Sequence, residues 1–447
     1  IWAKIPEDRK LAASEKLLDI SLSGSANTAS LANNCRDVLR TVELPGVVLQ
    51  QFVQKIPVSI TDVESVGPAP KRRRTSQNNM VAMTVKDEAE LSKLMDKMTF
   101  ILEIVDSSSP ETHPELVDGL FQTLAALHHF KSQIQSGMSY LLSLTLGSLL
   151  AIVNTSKGSA KPKFDTSVIR ADLVVDCVRT TDSPQVQNGA LLLVGSLSVI
   201  APELVLHSVM PIFTFMGSSV LRKDDDYSVS VIDQTIDQVV PALIQSLRNQ
   251  KRDVVSGTSE LLLSFTAAFE HIPSHRRLRL FHALISKLGT QEFLFAVLAM
   301  LANRYSADKD VLTLMTGLVS DTTPVVELTT YSKYLNLVSD SLKPKPGISQ
   351  VLLGIGSDDG RDAQSICVDL LRDLAHLFKH SSLKSKLETA FESDDQVADQ
   401  SRACFSRVLT QVLSIGEAVQ SMKPVNQACG EVLGSLFSTL SLVDFLD

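Results

Sequence analysis

Aromatic residues are scarce in this 447-residue sequence: they make up 5% of it, with one Trp and five Tyr. β-Proteins lean on aromatic and β-branched side chains, so the scarcity speaks against a sheet fold. Sustained period-2 alternation bounded by hairpin turns is missing as well. Cysteine is rare and never paired as CxxC. Cys35, Cys177, Cys367, Cys404 and Cys429 are scattered and odd in number, and read as reduced core residues of a cytosolic or nuclear protein. A surplus of positive charge is absent too. The net charge of −8 argues against whole-surface nucleic-acid binding but leaves room for local basic patches. No membrane-spanning run stands out, since crossing a bilayer takes ~20 apolar residues. The most apolar tract, 190–217, is broken by Pro202-Glu203 and Pro211. The sequence opens at Ile1-Trp2 without an initiator Met and is expected to be a piece of a longer protein, so terminal targeting signals are not read from it.

What the sequence does have is helical periodicity almost throughout. Val186, Ala190, Leu193, Val194, Leu197 and Ala201 share one helix face, and Val205, Val209, Ile212, Phe213 and Met216 share the next. The spacing returns at Ile366, Leu370, Leu374, Leu377 and Phe378, and again at Val397, Cys404, Phe405, Val408, Val412 and Ile415. Helix starts are marked by acidic or Ser-rich turns: Asp182-Ser183-Pro184, Asp224-Asp225-Asp226, Ser320-Asp321-Thr322-Thr323-Pro324 and Ser393-Asp394-Asp395. Asp and Ser there can accept from the free N–H groups of a first turn, carboxylates suit the positive end of the helix dipole, and Pro fits where its missing N–H costs nothing. The first two joints lie about 40 residues apart, the length of one HEAT repeat. The spacing therefore predicts an all-α fold, an α-solenoid of HEAT-type antiparallel helix pairs, with roughly 9–11 pairs.

Three stretches interrupt the pattern and set the expected organisation. Residues 1–56 form N-terminal repeats, 57–86 a basic Pro/Ser-rich insertion, 87–342 the main solenoid, 343–362 an inter-repeat loop with an apolar island, and 363–447 C-terminal repeats. Within the solenoid, 154–167 reads as a further inter-repeat loop.

No constellation marks an enzyme. The GIGSDDG run at 354–360 lacks a preceding strand and a following Lys-Ser/Thr, and reads as a Gly-rich turn rather than a phosphate loop. His271/His275 and His376/His380 have metal-compatible spacing but no third ligand and no HExxH glutamate. The triple Asp224-Asp225-Asp226 lacks the alternation and Gly of a calcium loop and reads as a helix cap. No nucleophile is marked. Catalytic, metal-binding and cofactor-binding residues are therefore expected to be none, with no small-molecule substrate and no membrane partner. Two basic clusters carry more information. Lys71-Arg72-Arg73-Arg74 resembles a nuclear-import signal or a phosphate-backbone contact. Arg276, Arg277 and Arg279 open a helix, and two readings stay open for them: a basic edge for RNA, or pairing with acidic side chains of a neighbouring repeat.

Two segments extend the reading. PIFTFMGSSVLRKDDDYSVSVIDQTIDQVVPALI (211–244) and HIPSHRRLRLFHALISKLGTQEFLFAVLAML (271–301), with the KRRRTS tract, resemble the central HEAT-repeat region of the large U-three-snoRNA-associated scaffold family of the UtpA complex. The strong likeness covers roughly 180–305 and is carried by Phe213-x-Phe215-Met216-Gly217 and Asp225-Asp226-Tyr227-Ser228. The resemblance implies a non-catalytic scaffold of ribosome biogenesis, gathered with the small-subunit processome on the 5′ external transcribed spacer and located in the nucleus and nucleolus. It implies other UtpA and processome proteins as partners, with pre-rRNA contacted directly or through the complex. The signature residues Phe213, Phe215, Met216, Gly217, Asp225, Asp226 and Tyr227 are expected to serve packing, helix ends and helix starts. A nuclear transport receptor and a phosphatase or kinase regulatory scaffold, both helical, stand as the alternatives.

Overall fold

The computed structural model describes residues 2–22, 29–65, 88–130, 137–157, 162–205, 225–251, 253–355, 361–393 and 395–439. Among them no strand occurs. The chain divides into two compact units, Ile1–Ile212 and Phe213–Asp447.

The N-terminal unit contains α1 (Glu7–Leu22), α2 (Ala29–Thr41), α3 (Gly46–Ser65), α4 (Glu88–Ser107), α5 (Val117–Phe130), α6 (Met138–Ser156), α7 (Ala171–Thr180) and α8 (Pro184–Ile200). Its packing follows one rule. Each odd helix packs on the even helix after it, and each helix also touches the one two places further on. That gives two rows, α1–α3–α5–α7 and α2–α4–α6–α8, which is the arrangement of stacked helix pairs. A single pair leaves its apolar face open, and the next pair closes it. Val186, Ala190, Leu193, Val194 and Leu197 of α8 are all fully buried, as their spacing predicts. α3 and α5 approach closely at Gly119, where an added Cβ would stand 2.9 Å from Val53 Cγ1.

Some local expectations change. Ser183 precedes α8 but its side chain caps nothing. Gln187 turns back instead and donates to Thr181 O at 2.6 Å, so a buried amide ties the joint together. The helix α3 runs on to Ser65, so the first nine residues of the segment expected as an insertion at 57–86 are helical. Residues 66–86 lie outside the described residues, and Lys71, Arg72, Arg73 and Arg74 with them. α6 is long and apolar enough to cross a membrane by length and composition, a property the sequence reading did not single out. Here Leu141, Leu142, Leu146, Leu149, Ile152 and Val153 are buried and α6 packs on α4, α5 and α8.

The C-terminal unit contains α9 (Asp226–Asn249), α10 (Val254–Gly257), α11 (Ser259–Ala267), α12 (Ser274–Leu288), α13 (Thr290–Arg304), α14 (Lys309–Ser320), α15 (Pro324–Ser341), α16 (Ile348–Leu353), α17 (Ala363–Lys379), α18 (Ser381–Ser393), α19 (Asp395–Ala418) and α20 (Lys423–Phe437). One row runs α9–α12–α14 and the other α11–α13–α15–α19. α17 lies along α20 and touches α13, α14 and α15. Ile366, Leu370, Leu374, Leu377 and Phe378 of α17 are all buried, again as spaced. Two of the few tyrosines sit fully inside. Tyr331 stacks edge-on against Phe378 with centroids 4.8 Å apart, and Tyr334 donates to Leu370 O at 3.0 Å. A buried Tyr stabilises a core only if its hydroxyl finds such a partner.

α12 and α13 are joined by Gly289 alone, at φ 109°. L-residues rarely adopt that backbone, and a Cβ there would meet nothing within 4 Å. Gly289→Ala is therefore expected to cost about 1–2 kcal/mol through backbone strain alone. Urea unfolding should show the lower midpoint; an unchanged midpoint would mean the joint relaxes freely.

None of the five cysteines is joined in a disulfide; four are buried and Cys404 is half-buried. His271 ends a 3₁₀ turn and His275 lies in the first turn of α12, so this pair does not share a helix face. No metal-ligating cluster occurs among the described residues.

Candidate interaction surface

The surface around the start of α12 is built from charge that the helix alone would not tolerate. Arg276, Arg277 and Arg279 fall in its first two turns, where the helix dipole opposes cations. Carboxylates from both neighbouring helices offset this. On one side α9 supplies Asp226, 3.4 Å from Arg276, and Asp233, 2.5 Å from Arg279. On the other α14 supplies Asp310 in its own first turn, 3.0 Å from Arg277. Further along, Lys287 reaches Asp237 of α9 at 3.2 Å. The contacts to α9 (226 with 276, 233 with 279, 237 with 287) advance in the same direction along both chains. α9 and α12 are thus laid side by side in parallel, as equivalent helices of successive pairs are.

Of the two readings left open for these arginines, the structure has the pairing one. Arg277 is the most committed of the three. Its side chain is 16% exposed, its guanidinium lies 4.1 Å from the Phe269 ring centroid, and its Nε donates to Ile272 O at 3.0 Å. Arg276 is similarly covered, whereas the side chain of Arg279 remains 71% exposed. Arg277→Ala is expected to cost about 2 kcal/mol, from the lost ring contact and the unmet carbonyl. Arg279→Ala, an exposed pair, should cost under about 1 kcal/mol. Urea midpoints of the two variants check the order; a reversed order would contradict this assignment.

The signature residues divide. Phe213, Phe215, Met216 and Gly217 lie outside the described residues, as does Asp224. Asp225 is the N-cap of α9 and accepts from Ser228 N at 2.7 Å, the helix start expected of it. Asp226 follows in the first turn and holds Arg276. Tyr227 does not pack and is 63% exposed. The inward face of α9 is carried by Ser228, Val231, Ile232, Thr235 and Ile236; Tyr227 lies in the first turn, ahead of this buried stretch.

Among the described residues of the C-terminal unit, three concave places stand out. One of about 270 Å³ lies between α9 and α12 beside Arg276 and Arg279. Another, of about 500 Å³, is rimmed by the ion pair of Arg248 with Glu292 at 3.0 Å and by His282 and Asp321, 4.0 Å apart. The third, of about 440 Å³, lies between α13, α15 and α16 and carries Phe295, Lys333, Leu337 and Ile348. Sequence reading missed this last one because it had 343–362 as a loop; the spacing of Leu352 and Leu353 against Ile348 and Val351 was the available signal.

Residues 253–433 match the family description "HEATR1-like, HEAT repeats". Along the whole chain, these repeats and the segments before them are 80% identical to U3 small nucleolar RNA-associated protein 10 of Aspergillus fumigatus. Identity is 77% with the protein of that name from Emericella nidulans and 61% with that from Coccidioides immitis. All of this chain is covered in each case, against 25%, 25% and 24% of those relatives. The chain thus spans about a quarter of the length of the curated relatives it matches. An engineered protein of solved structure aligns over 95% of this chain and 98% of its own at 12% identity, but its TM-score of 0.27 says nothing about the fold.

Proposed function

We propose that this chain is a non-catalytic scaffold segment in ribosome biogenesis, in the nucleolus, within the UtpA complex of the small-subunit processome. The observation that carries the reading is identity along the entire chain to proteins named for U3 small nucleolar RNA association. The fold supports the same reading. Stacked helix pairs offer long surfaces for partners, and the charged residues of the α12 region are held in inter-helix pairs instead of a reaction site. Other processome proteins would be the partners, and pre-rRNA would be met directly or through them. Lys71 to Arg74 would add salt-dependent affinity for RNA phosphates or serve nuclear entry, with Arg279 the most exposed of the α12 cations.

The test is made in the full-length natural protein. Deleting the segment equivalent to 1–447 should abolish co-sedimentation with U3 small nucleolar RNA and cause small-subunit rRNA precursors to accumulate. Replacing Lys71 to Arg74 by Ala should flatten the salt dependence of RNA retention or slow nuclear entry. Unaltered U3 co-sedimentation and rRNA processing after the segment deletion would overturn the reading.

A further inference from the structure

The groove between α13, α15 and α16 differs from the rest of this acidic chain in both floor and rim. Its floor is apolar: Phe295 of α13 and Leu337 of α15 form the base, and Ile348 of α16 stands 40% exposed at the edge. α16 is a short helix with two distinct sides. Ser349, Leu352 and Leu353 are buried, while Ile348 and Val351 face outward, each about two-fifths exposed. Aliphatic side chains displayed in this way beside a groove lose free energy to water until something covers them.

The rim is cationic. Lys333 leans over the floor with its ammonium 6.0 Å from the Phe295 ring centroid and donates to Gln291 O at 2.7 Å, a neutral partner. Lys343 and Lys345 follow on the exposed turn into α16. One carboxylate, Asp340, lines the groove with Lys333 and Lys343. It is turned to an internal task. Its Oδ2 accepts from Gly347 N at 2.9 Å, Ser349 N at 3.1 Å and Ser349 Oγ at 2.8 Å, and its Oδ1 from Lys343 at 3.1 Å. These bonds hold its carboxyl down to about 2, so it stays ionised as the brace of the turn. Lys333 and Lys343 against one braced carboxylate leave a local formal surplus of one positive charge in the groove, and Lys345 adds a further exposed cation on the adjoining turn, on a chain whose net charge is −8.

The geometry points to this groove as a docking site for an acidic segment of a partner protein that carries bulky apolar anchors, with the anchors on Phe295, Leu337 and Ile348 and the carboxylates toward Lys333 and Lys345. An amphipathic helix laid in a groove is read by anchors three and four residues apart, and a floor bounded by two helices and a third short one suits that mode. Single-stranded RNA suits it poorly. RNA grooves offer aromatic faces for bases to stack on, whereas Phe295 is 8% exposed and the outward residues are aliphatic. The inference draws on the scaffold reading only in requiring a protein partner, and the two fail separately: one is tested on the processome particle and the other on the chain with a defined peptide.

The probe is a fluorescein-labelled helical peptide of about 14 residues with Leu or Phe at every third or fourth position and Asp or Glu between them, beside a control with Lys in place of the acids. Fluorescence anisotropy on the 447-residue chain should show binding of the acidic peptide alone, weakening as salt rises. Ile348→Asp, and separately Lys333→Gln/Lys345→Glu, should each weaken it at least about tenfold. Urea midpoints report folding. If the double variant is destabilised, Ile348→Asp, at an exposed position, decides by itself. Equal binding of the two peptides, affinity unmoved by Ile348→Asp, or displacement of the acidic peptide by a short single-stranded RNA would each overturn the assignment.

Discussion

Replacing Lys386 by Met is expected to destabilise the C-terminal unit by about 3–5 kcal/mol, the cost of leaving a buried charge without its partner. The charge is Glu327, in the first turn of α15, whose side chain is 2% exposed. Lys386 of α18 is 2.7 Å away and donates also to Val319 O at 2.8 Å, near the end of α14. Tyr331 donates to the other carboxylate oxygen at 2.8 Å. One ammonium thus joins three helices. Burial pushes the Glu327 carboxyl above its ordinary value, while Lys386 and Tyr331 pull it back. Without Lys386 the upward push loses its main opposition, so the loss should be largest at high pH and shrink as pH falls and Glu327 takes up a proton. Glu327→Gln combined with Lys386→Met should recover most of the loss, because no charge is left buried and the amide oxygen still accepts from Tyr331. Urea unfolding of wild type, both single variants and the double variant closes the cycle. Additive losses with no recovery would contradict the assigned pairing.

The second large effect is a pH dependence centred on Asp373 of α17. Its side chain is buried, its Oδ2 has no hydrogen-bond partner, and burial, helped by nearby Asp369, raises its carboxyl from 3.8 to about 7. The folded state therefore holds the proton over a range where the unfolded chain releases it. Stability from this group is complete below pH 4 and is lost as pH rises to 7, at about 1.4 kcal/mol per pH unit. Asp373→Asn should remove that slope and make the unit relatively more stable at pH 8 than at pH 4, compared with wild type. The check is the urea midpoint measured every half unit across this range. Parallel curves for the two proteins would show that Asp373 ionises in the fold without penalty.

Much of the scaffold was readable from spacing. A helix's inward face depends on residues three and four apart, so Val186 to Leu197 and Ile366 to Phe378 could be assigned to the core without a neighbour in view. Helix starts were legible for the same local reason: Asp225 caps α9 and Thr323-Pro324 opens α15. What stayed hidden depends on residues far along the chain. The partners of Arg276, Arg277 and Arg279 lie 50, 33 and 46 positions away. Glu327 follows Pro324 by three residues and looks like an ordinary first-turn acid; only Lys386, 59 positions on, gives it a buried role. The groove was hidden because Lys343 to Ile348 look like linker, and the aliphatic pair on α16 acquires a meaning only when α13 and α15 stand beside it.

The charge-paired side of the α9–α12–α14 row has a mechanical consequence. That row is tied in part by ion pairs open to water, Arg279 with Asp233 and Lys287 with Asp237, while the helices carry fully buried aliphatic side chains such as Leu284, Val297 and Leu298. Mobile ions weaken the first kind of bond within a Debye length and leave the second untouched. The stack should then behave like a strip of two metals, in which one layer slackens under a change that the other does not feel. Raising ionic strength is expected to shift the bend between successive helix pairs without altering which helices touch.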